Sequence, residues 1–297
     1  MMLRPPVRVI PRLDVKGQNL VKGIHLEGLR VLGDPSYYAL RYAGEGADEL
    51  LFMDAVASLY GRNSLLDVVE KTARNVFIPL TVGGGIRTLD DISKALKAGA
   101  DKVAINTAAV NDPKFVSQAA ERFGSSTIVI HIDAKKTKSG GWNVWTENGR
   151  EPTHLQVEPW AQQVAKLGCG EILVTSIDSE GTMAGYDRDL LSVVADKVAV
   201  PVIACGGANA PHAIADVAHG IDISAVCVAS ILHYRLAADL ERQGYAFGAS
   251  GEFKVIAEKR DFSRVTPTTI ADIKQALHER GVVVRSTQTQ MEAHDGK

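Results

Sequence analysis

Short hydrophobic runs alternate along the chain with longer amphipathic stretches. The runs are rich in Val, Ile and Leu, as buried parallel strands are. Eight strands are predicted, at residues 7–14, 49–54, 78–82, 102–106, 127–133, 171–175, 200–205 and 224–229. Helices are predicted at residues 35–45, 64–74, 89–98, 113–123, 158–167, 187–197, 211–218 and 268–280. Eight βα units in one chain are typical of a (β/α)8 TIM barrel, which is the predicted α/β fold.

An internal repeat supports this architecture. Glu49 returns as Glu171 after 122 positions (171 − 49), and Asp14 returns as Asp133 after 119 (133 − 14). A shift near 120 aligns several strand ends in order, so the chain is predicted to consist of two half-barrels. An open doubly wound sheet is the rival fold, but it would normally carry G-x-G-x-x-G after its first strand, and this sequence does not.

Composition excludes some classes of function. The 297 residues are 45% hydrophobic and 23% charged, as in an ordinary globular protein. The net charge is −2 with acids and bases interspersed, which argues against nucleic-acid binding. Apolar runs stay below the roughly 18 residues of a membrane span, and the N-terminus lacks a signal-peptide pattern. A cytoplasmic protein with no membrane contact is expected.

The three cysteines are Cys169, Cys205 and Cys227, and their spacings fit no zinc motif. We interpret them as small core or site-lining residues, with a catalytic thiol at Cys205 as the alternative. No metal and no cofactor are expected. Residues 1–285 are predicted to form one barrel domain with a long insertion after strand eight, at about 235–264. The polar tail, 286–297, is predicted to be disordered.

Two aspartates are candidate catalytic residues. Asp14 and Asp133 end predicted strands one and five, which face each other across an eight-stranded barrel. Opposed carboxylates suit acid–base chemistry, in which one removes a proton while the other donates one. The alternative is that each only caps a helix, and it applies more strongly to Asp54 and Asp178. His131 is expected to point the other way from the strand neighbours of Asp133, and it is interpreted as a packing residue or as a residue that supports a side chain of the site.

Two glycine clusters predict phosphate sites. They follow strands three and seven, and each has a polar or small pair at the next strand end. The candidate binding residues are Lys22, Gly83, Gly84, Gly85, Asn106, Thr107, Asp178, Gly206, Gly207, Ala229 and Ser230. Backbone N–H groups at such turns suit a phosphate dianion. Tight turns alone would explain a single cluster, and Lys22 could be a solvated loop residue. The predicted substrate carries a phosphate at each end.

These features accompany a set of longer motifs. They are G-D-P at 33–35, G-A-D-E-L at 46–50, P-L-T-V-G-G-G-I-R at 79–87, G-A-D-K-V at 99–103, I-N-T-A-A-V at 105–110, R-F-G-S at 122–125, I-D-A-K at 132–135, G-E-I-L at 170–173, T-S-I-D at 175–178, E-G-T at 180–182 and G-Y-D at 185–187. With them the chain resembles the cyclase subunit of imidazole glycerol phosphate synthase, the HisF family. The resemblance runs from about residue 8 to residue 230 and resumes at 271–285.

The resemblance implies a reaction and a partner. Members pair with a HisH-type glutaminase subunit, whose ammonia crosses the barrel. With this ammonia, the cyclase subunit converts a phosphoribulosyl-formimino-aminoimidazole carboxamide ribonucleotide into imidazole glycerol phosphate and aminoimidazole carboxamide ribonucleotide, a step of histidine biosynthesis. Asp14 and Asp133 match the family's acid and base. Its charged ammonia gate is matched by Arg8, Glu49, Lys102 and Glu171.

Several positions depart from the family pattern. Arg12 stands where the family usually has a small residue, Val56 replaces a threonine, and Cys205 replaces a serine. A guanidinium at Arg12 could lower the pKa of Asp14 or contact an anionic substrate. These changes leave a second reading open, a paralogous component that channels ammonia to another substrate, such as a surface-polysaccharide sugar.

Overall fold

A computed structural model describes residues 5–56, 64–242 and 268–286 of the chain. Their strands, in chain order, are β1 Arg8–Lys16, β2 Asn19–Ile24, β3 Glu27–Gly33, β4 Leu50–Asp54, β5 Leu80–Gly83, β6 Lys102–Ile105, β7 Ile128–Lys136, β8 Trp142–Thr146, β9 Glu151–Gln156, β10 Glu171–Ser176, β11 Val202–Cys205 and β12 Ala225–Val228. Their α-helices are α1 Pro35–Gly44, α2 Ser64–Ala73, α3 Leu89–Lys97, α4 Thr107–Asn111, α5 Lys114–Phe123, α6 Val157–Lys166, α7 Arg188–Ala195, α8 Pro211–Gly220, α9 Ser230–Arg242 and α10 Ile270–Glu279.

Eight of these strands close into a parallel barrel. The order is β1, β4, β5, β6, β7, β10, β11 and β12, and β12 pairs with β1 to complete the circle. The predicted (β/α)8 barrel is therefore confirmed. The predicted strands agree with the observed ones within three residues at each end, and the predicted helices within two.

Local chemistry explains where helices begin. The Asp34 side chain accepts a hydrogen bond from the backbone N–H of Ser36, and Pro35 opens α1 with its backbone angle already suited to a helix. Thr88 and Asp91 form a reciprocal capping box at the start of α3. Helices thereby begin soon after strand ends and leave the strand tips facing the barrel mouth.

Two hairpins were not predicted. Strands β2 and β3 follow the first barrel strand, and β8 and β9 follow the fifth. Each pairs antiparallel with its barrel strand beside an aspartate, with Asp14 opposite Val21 and Asp133 opposite Trp145. The hairpins occupy equivalent places in the two half-barrels, so the repeat extends beyond the barrel strands into the loops at its mouth.

The region after the last barrel strand differs from its predicted boundary. The insertion was expected to begin at residue 235, but residues 235–242 continue helix α9. This helix is amphipathic and buries Ile231, Leu232 and Leu236 against the barrel, which is why it extends past the expected loop. The rest of the predicted insertion, 243–264, lies outside the described residues, as does the tail from residue 287.

The barrel has two separate apolar regions. Outward strand residues pack under the helices in the main core, and a smaller cluster fills the barrel itself. The inner cluster includes Ile10, Leu51, Leu173, Cys205 and Cys227. Side chains alternate between faces along a strand, so Ile10 and Asp14 share the inward face of β1. Among the described helices, none has the length and hydropathy to cross a membrane.

Candidate active site

The two predicted catalytic aspartates lie buried at opposite walls of the barrel mouth. Asp14 is in β1 and Asp133 is in β7, with three barrel strands between them on either side. Both strands continue beyond the aspartate, to Lys16 and Lys136, so neither residue caps a helix. The structure therefore excludes the helix-cap interpretation for this pair.

Asp14 lies among charges of both signs. The Arg12 Nε donates to Asp14 Oδ1 at 2.8 Å, and the Lys22 Nζ lies 3.7 Å from Asp14 Oδ2. Lys22 is also ion-paired with Glu180. Burial alone would raise the pKa of Asp14, but the positive charges of Arg12 and Lys22 outweigh it and lower that pKa. Asp14 is thus held as a carboxylate.

Lys22 is not a solvated loop residue. Only 2% of the residue is exposed. Burial would lower the pKa of its ammonium, but the charges of Glu180 and Asp14 raise it. Glu180 was missed in the sequence, because its partner Lys22 lies 158 positions away. Lys22 therefore stands beside the catalytic candidate Asp14 within a buried charge cluster.

Asp133 has an amide and an imidazole as partners instead. Asn106 Nδ2 donates to Asp133 Oδ2 at 3.0 Å, and His131 Nε2 lies 3.1 Å from Asp133 Oδ1. His131 Nε2 also lies 2.9 Å from the hydroxyl oxygen of Thr175. Of the two interpretations of His131, packing or support of a site side chain, this contact favours the second, and the ring points away from the strand neighbours of Asp133 as expected. Residues two apart in a strand share a face, and the contact with Asp133 could have been anticipated from this spacing.

The Arg12 side chain extends across the barrel interior. Its side chain is buried, and Nη1 donates to Thr175 Oγ1 at 3.3 Å and to Cys205 Sγ at 3.5 Å. A hydrogen bond with Cys227 and the charge of Arg12 lower the pKa of the Cys205 thiol to about 7, against the opposing effect of burial. Where the family pattern has a small residue, position 12 therefore holds a cation that links β1 to β10 and β11.

The first glycine cluster borders a cavity next to Asp133. The cavity lining includes Asp54, Gly84, Gly85, Asn106, Thr107 and Asp133. Gly84 has a φ of +89°, and a Cβ there would come within 2.5 Å of the Asp54 carbonyl oxygen. Only glycine fits without strain at that position. Gly83 lies in β5, and a Cβ there would meet the Met53 side chain.

The second cluster borders an equivalent cavity in the other half-barrel. Its lining includes Glu180, Cys205, Gly206, Gly207, Ala229 and Ser230. Gly206 has a φ of +92°, and a Cβ there would lie 2.8 Å from the Ser176 carbonyl oxygen. Gly206 follows Gly84 by 122 positions (206 − 84), and Ser176 follows Asp54 by the same number (176 − 54). The repeat therefore reproduces the same close backbone approach on each side of the mouth.

Two other predicted residues have local structural partners. Asp178 is exposed, and its Oδ2 accepts a hydrogen bond from the Lys136 backbone N–H at 2.8 Å. It lines neither glycine cavity, so the structure does not bring it together with the other candidate phosphate ligands. Asp54 accepts from the backbone N–H of Val56 at 2.9 Å and also lines the first cavity.

Four charged residues form a closed ring at the opposite end of the barrel. Arg8 Nη1 lies 2.7 Å from Glu49 and 3.1 Å from Glu171, and Lys102 Nζ lies 3.0 Å and 3.1 Å from the same two carboxylates. Thr81 donates a further hydrogen bond to Glu49. The structure thus brings together all four residues of the predicted gate. Two cations and two anions compensate one another, as partly buried charges require.

Comparison with known proteins agrees with this architecture. A family profile described as histidine biosynthesis protein matches residues 8–237. An imidazole glycerol phosphate synthase subunit HisF from Legionella pneumophila is 58% identical over 201 residues, which are 68% of this chain and 95% of that protein. HisF subunits from a Synechococcus species and from Bacillus cereus are 50% and 48% identical, over 76% of this chain and 90% of each relative. The chain belongs to the histidine biosynthesis protein family and, within it, to the HisF subunits of imidazole glycerol phosphate synthase.

Proposed function

We propose that this enzyme closes the imidazole ring of imidazole glycerol phosphate. Its substrate would be the phosphoribulosyl-formimino-aminoimidazole carboxamide ribonucleotide, and aminoimidazole carboxamide ribonucleotide would be the second product. One observation carries the assignment to this site: Asp14 and Asp133 oppose each other at the barrel mouth, and each half-barrel adds a glycine cavity to the same face. A substrate with a phosphate at each end fits this symmetry.

The two aspartates match the needs of ammonia addition. When ammonia adds to a ketone, a proton must leave the nitrogen and a proton must reach the carbonyl oxygen. A second transfer of the same kind lets that oxygen leave as water. A base and an acid on opposite sides of the substrate can do both. Burial of Asp14 and Asp133 shields these transfers from bulk water and strengthens their electrostatic effect.

The glycine cavities supply the phosphate contacts in this proposal. Gly84 and Gly206 bring strand-end backbone close to the cavity without a side chain in the way. Ser230 adds a hydroxyl at the start of the 13-residue helix α9, whose N-terminal N–H groups favour an anion. Thr107 accepts from the Glu147 backbone N–H at 3.1 Å, so its own hydroxyl proton is available for a phosphate oxygen.

The ammonia is proposed to come from a HisH-type glutaminase that forms a heterodimer with this chain. The closed ring of Arg8, Glu49, Lys102 and Glu171 lies at the end of the barrel opposite the aspartates. Ammonia from a partner docked there would pass the ring and the barrel interior to reach the mouth. A glutaminase partner is therefore consistent with a gate at this position.

The predicted cytoplasmic location stays a prediction. The free, buried cysteines Cys169, Cys205 and Cys227 support it, because thiols persist in reducing compartments. The surface-polysaccharide alternative loses support, because the similar proteins reported above are HisF subunits of imidazole glycerol phosphate synthase.

The direct test supplies the purified chain with ammonium salt and the bisphosphorylated substrate and follows both products. We expect turnover without a partner, and growth without histidine in a strain lacking its own cyclase. An Asp67→Asn variant, in which an exposed helix residue is changed, is the matched control and should keep full activity. Soluble protein that neither turns over nor supports growth would contradict the proposed function.

A further inference from the structure

The positions two residues before the catalytic candidates are related by the same repeat, but they hold different side chains. Arg12 precedes Asp14, and His131 precedes Asp133, at the same spacing of 119 (131 − 12). Both side chains are buried inside the barrel. Each contacts the aspartate of its own strand, and both contact Thr175. A hydrogen-bonded belt therefore joins the two aspartates through one hydroxyl.

The Arg12 end of the belt cannot supply a proton to the substrate. Guanidinium stays protonated at all working pH values, and its donors stabilise the ionised form of a carboxylate. Arg12 Nε donates a hydrogen bond to Asp14 Oδ1, and Lys22 Nζ lies 3.7 Å from Asp14 Oδ2. Three other groups lie nearby. Glu180 pairs with Lys22, Cys205 accepts a hydrogen bond from Arg12, and Cys227 forms a hydrogen bond with Cys205. Asp14 is left as a carboxylate that can accept a proton.

His233 supports this arrangement from helix α9. Its Nε2 lies 2.8 Å from the Arg12 carbonyl oxygen, and its Nδ1 lies 2.7 Å from the Tyr42 hydroxyl. Burial lowers the pKa of His233 to about 4, so its Nε2–H donates and the ring stays neutral. It therefore adds no positive charge beside Asp14, and Arg12 and Lys22 remain the cations that act on that carboxylate.

The His131 end has the geometry to hold a proton that can move. Asp133 Oδ1 has no hydrogen-bond partner within the described residues, although His131 Nε2 lies 3.1 Å away. The 3.1 Å separation is a hydrogen-bond distance, and a proton shared there as imidazolium with carboxylate, or as imidazole with carboxylic acid, is one more than the pair keeps after it donates. Thr175 already accepts from Arg12, and its contact with His131 holds the ring in place. Asp54, Arg87 and Glu147 line the cavity that Asp133 faces.

We propose that Arg12 and His131 are positioning residues that give the two aspartates different tasks. Arg12 holds Asp14 as the proton acceptor, and His131 keeps a proton beside Asp133, so that side is the donor. In the addition step Asp14 takes one proton from the attacking nitrogen, and the His131–Asp133 pair gives one to the carbonyl oxygen, which becomes a hydroxyl. The site as a whole keeps its charge during the step. This inference rests on the proposed ring closure and assigns its direction.

The test is the pH profile of kcat with ammonia held constant by adjusting total ammonium at each pH. Removing Arg12 raises the pKa of Asp14, so the base is lost at a higher pH. We expect Arg12→Gln to move the acid limb upward by about one pH unit, while Arg12→Lys keeps its position. His131→Gln should lower kcat by about 100-fold and leave the acid limb in place. The exposed residues Arg74 and His212 give matched controls, Arg74→Gln and His212→Gln, that should change neither quantity.

Double variants separate positioning from general damage. Arg12→Gln should still move the acid limb in an Asp133→Asn background but not in Asp14→Asn. His131→Gln should cause no further loss in Asp133→Asn. Equal losses at every pH, with limbs unmoved, would overturn the inference while leaving ring closure intact. Full activity in both aspartate variants would instead contradict the proposed site.

A measurement on the unaltered side chain covers the case in which Arg12→Gln does not fold. A carbon-13 titration of the carboxyl groups, with Asp14→Asn to assign the signal, reports the Asp14 pKa directly. A pKa well below the usual aspartate range supports the inference. An ordinary or raised pKa would overturn it.

Discussion

The two half-barrels have the same backbone plan but different side chains next to the catalytic candidates. Both have a hairpin after the first strand and a glycine in the left-handed region that touches the preceding strand end, at Gly84 and Gly206. They differ where Arg12 in one corresponds to His131 in the other. Backbone symmetry suits a substrate with two similar ends. Chemistry in the middle needs a base on one side and an acid on the other, which identical halves could not supply.

The largest expected effect comes from neutralising either aspartate. Asp14→Asn and Asp133→Asn should each lower kcat by about 10²–10⁴-fold, the usual value of a general acid or base. Both should remain folded because asparagine has nearly the same shape, but Asp14→Asn should be the less stable of the two since it removes an anion that pairs with buried Arg12 and Lys22. Steady-state turnover with ammonium salt, alongside a thermal melt, measures the two effects. Unchanged activity in Asp14→Asn or in Asp133→Asn would show that the substituted aspartate takes no part in the chemistry.

The charge ring offers a comparison between its own two carboxylates. Glu49 has 2% of its side chain exposed and Glu171 has 13%, and Glu49 also accepts from Thr81. We expect Glu49→Gln to lower the free energy of unfolding by about 3 kcal/mol and Glu171→Gln by about 1 kcal/mol. The reason is that solvent screens the more exposed carboxylate, Glu171, better than it screens Glu49. Denaturant unfolding measures both. A larger loss for Glu171→Gln would contradict the assigned burial.

The glycine pair tests whether the two cavities are equivalent. Gly84→Ala and Gly206→Ala should each cost about 2 kcal/mol of stability, because alanine is strained at positive φ and its Cβ meets a carbonyl oxygen. Each should also raise KM, since each cavity is proposed to hold one phosphate. Gly140 has a φ of +90° with open space around its Cβ position. Gly140→Ala is the control that carries only the backbone strain and should leave KM unchanged.

The last prediction concerns His233, whose ring contacts the Arg12 carbonyl oxygen. The pKa of His233 falls from 6.5 to about 4 on folding. The unfolded chain therefore binds more protons below pH 6.5, and stability is lost as the pH falls from there toward 4. Between pH 7 and pH 5 the loss from this group is about 2 kcal/mol. Denaturant unfolding at the two pH values should show this difference in wild type and not in His233→Asn. The same pH dependence in both proteins would contradict a neutral, buried His233.

Much of this site could be predicted from the sequence because its parts lie at strand ends. Asp14, Asp133, Gly84 and Gly206 follow regular apolar runs, and the barrel places every such end at one mouth. The repeat strengthened each assignment, since a chance match rarely recurs at a fixed spacing.

Other parts could not be predicted because they depend on distant contacts. The burial of Lys22 depends on Glu180, and the role of Thr175 depends on two side chains from other strands. The hairpins were missed because their strands are short and mixed in polarity, with pairing that only the fold creates. Asp178 matched a motif, yet its carboxylate accepts a hydrogen bond from the Lys136 backbone N–H.

The central claim is that the two opposed aspartates have unequal environments, and the Asp14 pKa tests it most directly. The measurement is a carbon-13 carboxyl titration of the folded protein, with Asp14→Asn to assign the signal. The contacts with Arg12 and Lys22 predict a pKa below the usual aspartate value. The same titration in Arg12→Lys should leave it low. A pKa at or above the ordinary value would contradict the account, because Asp14 would then not be held as the base.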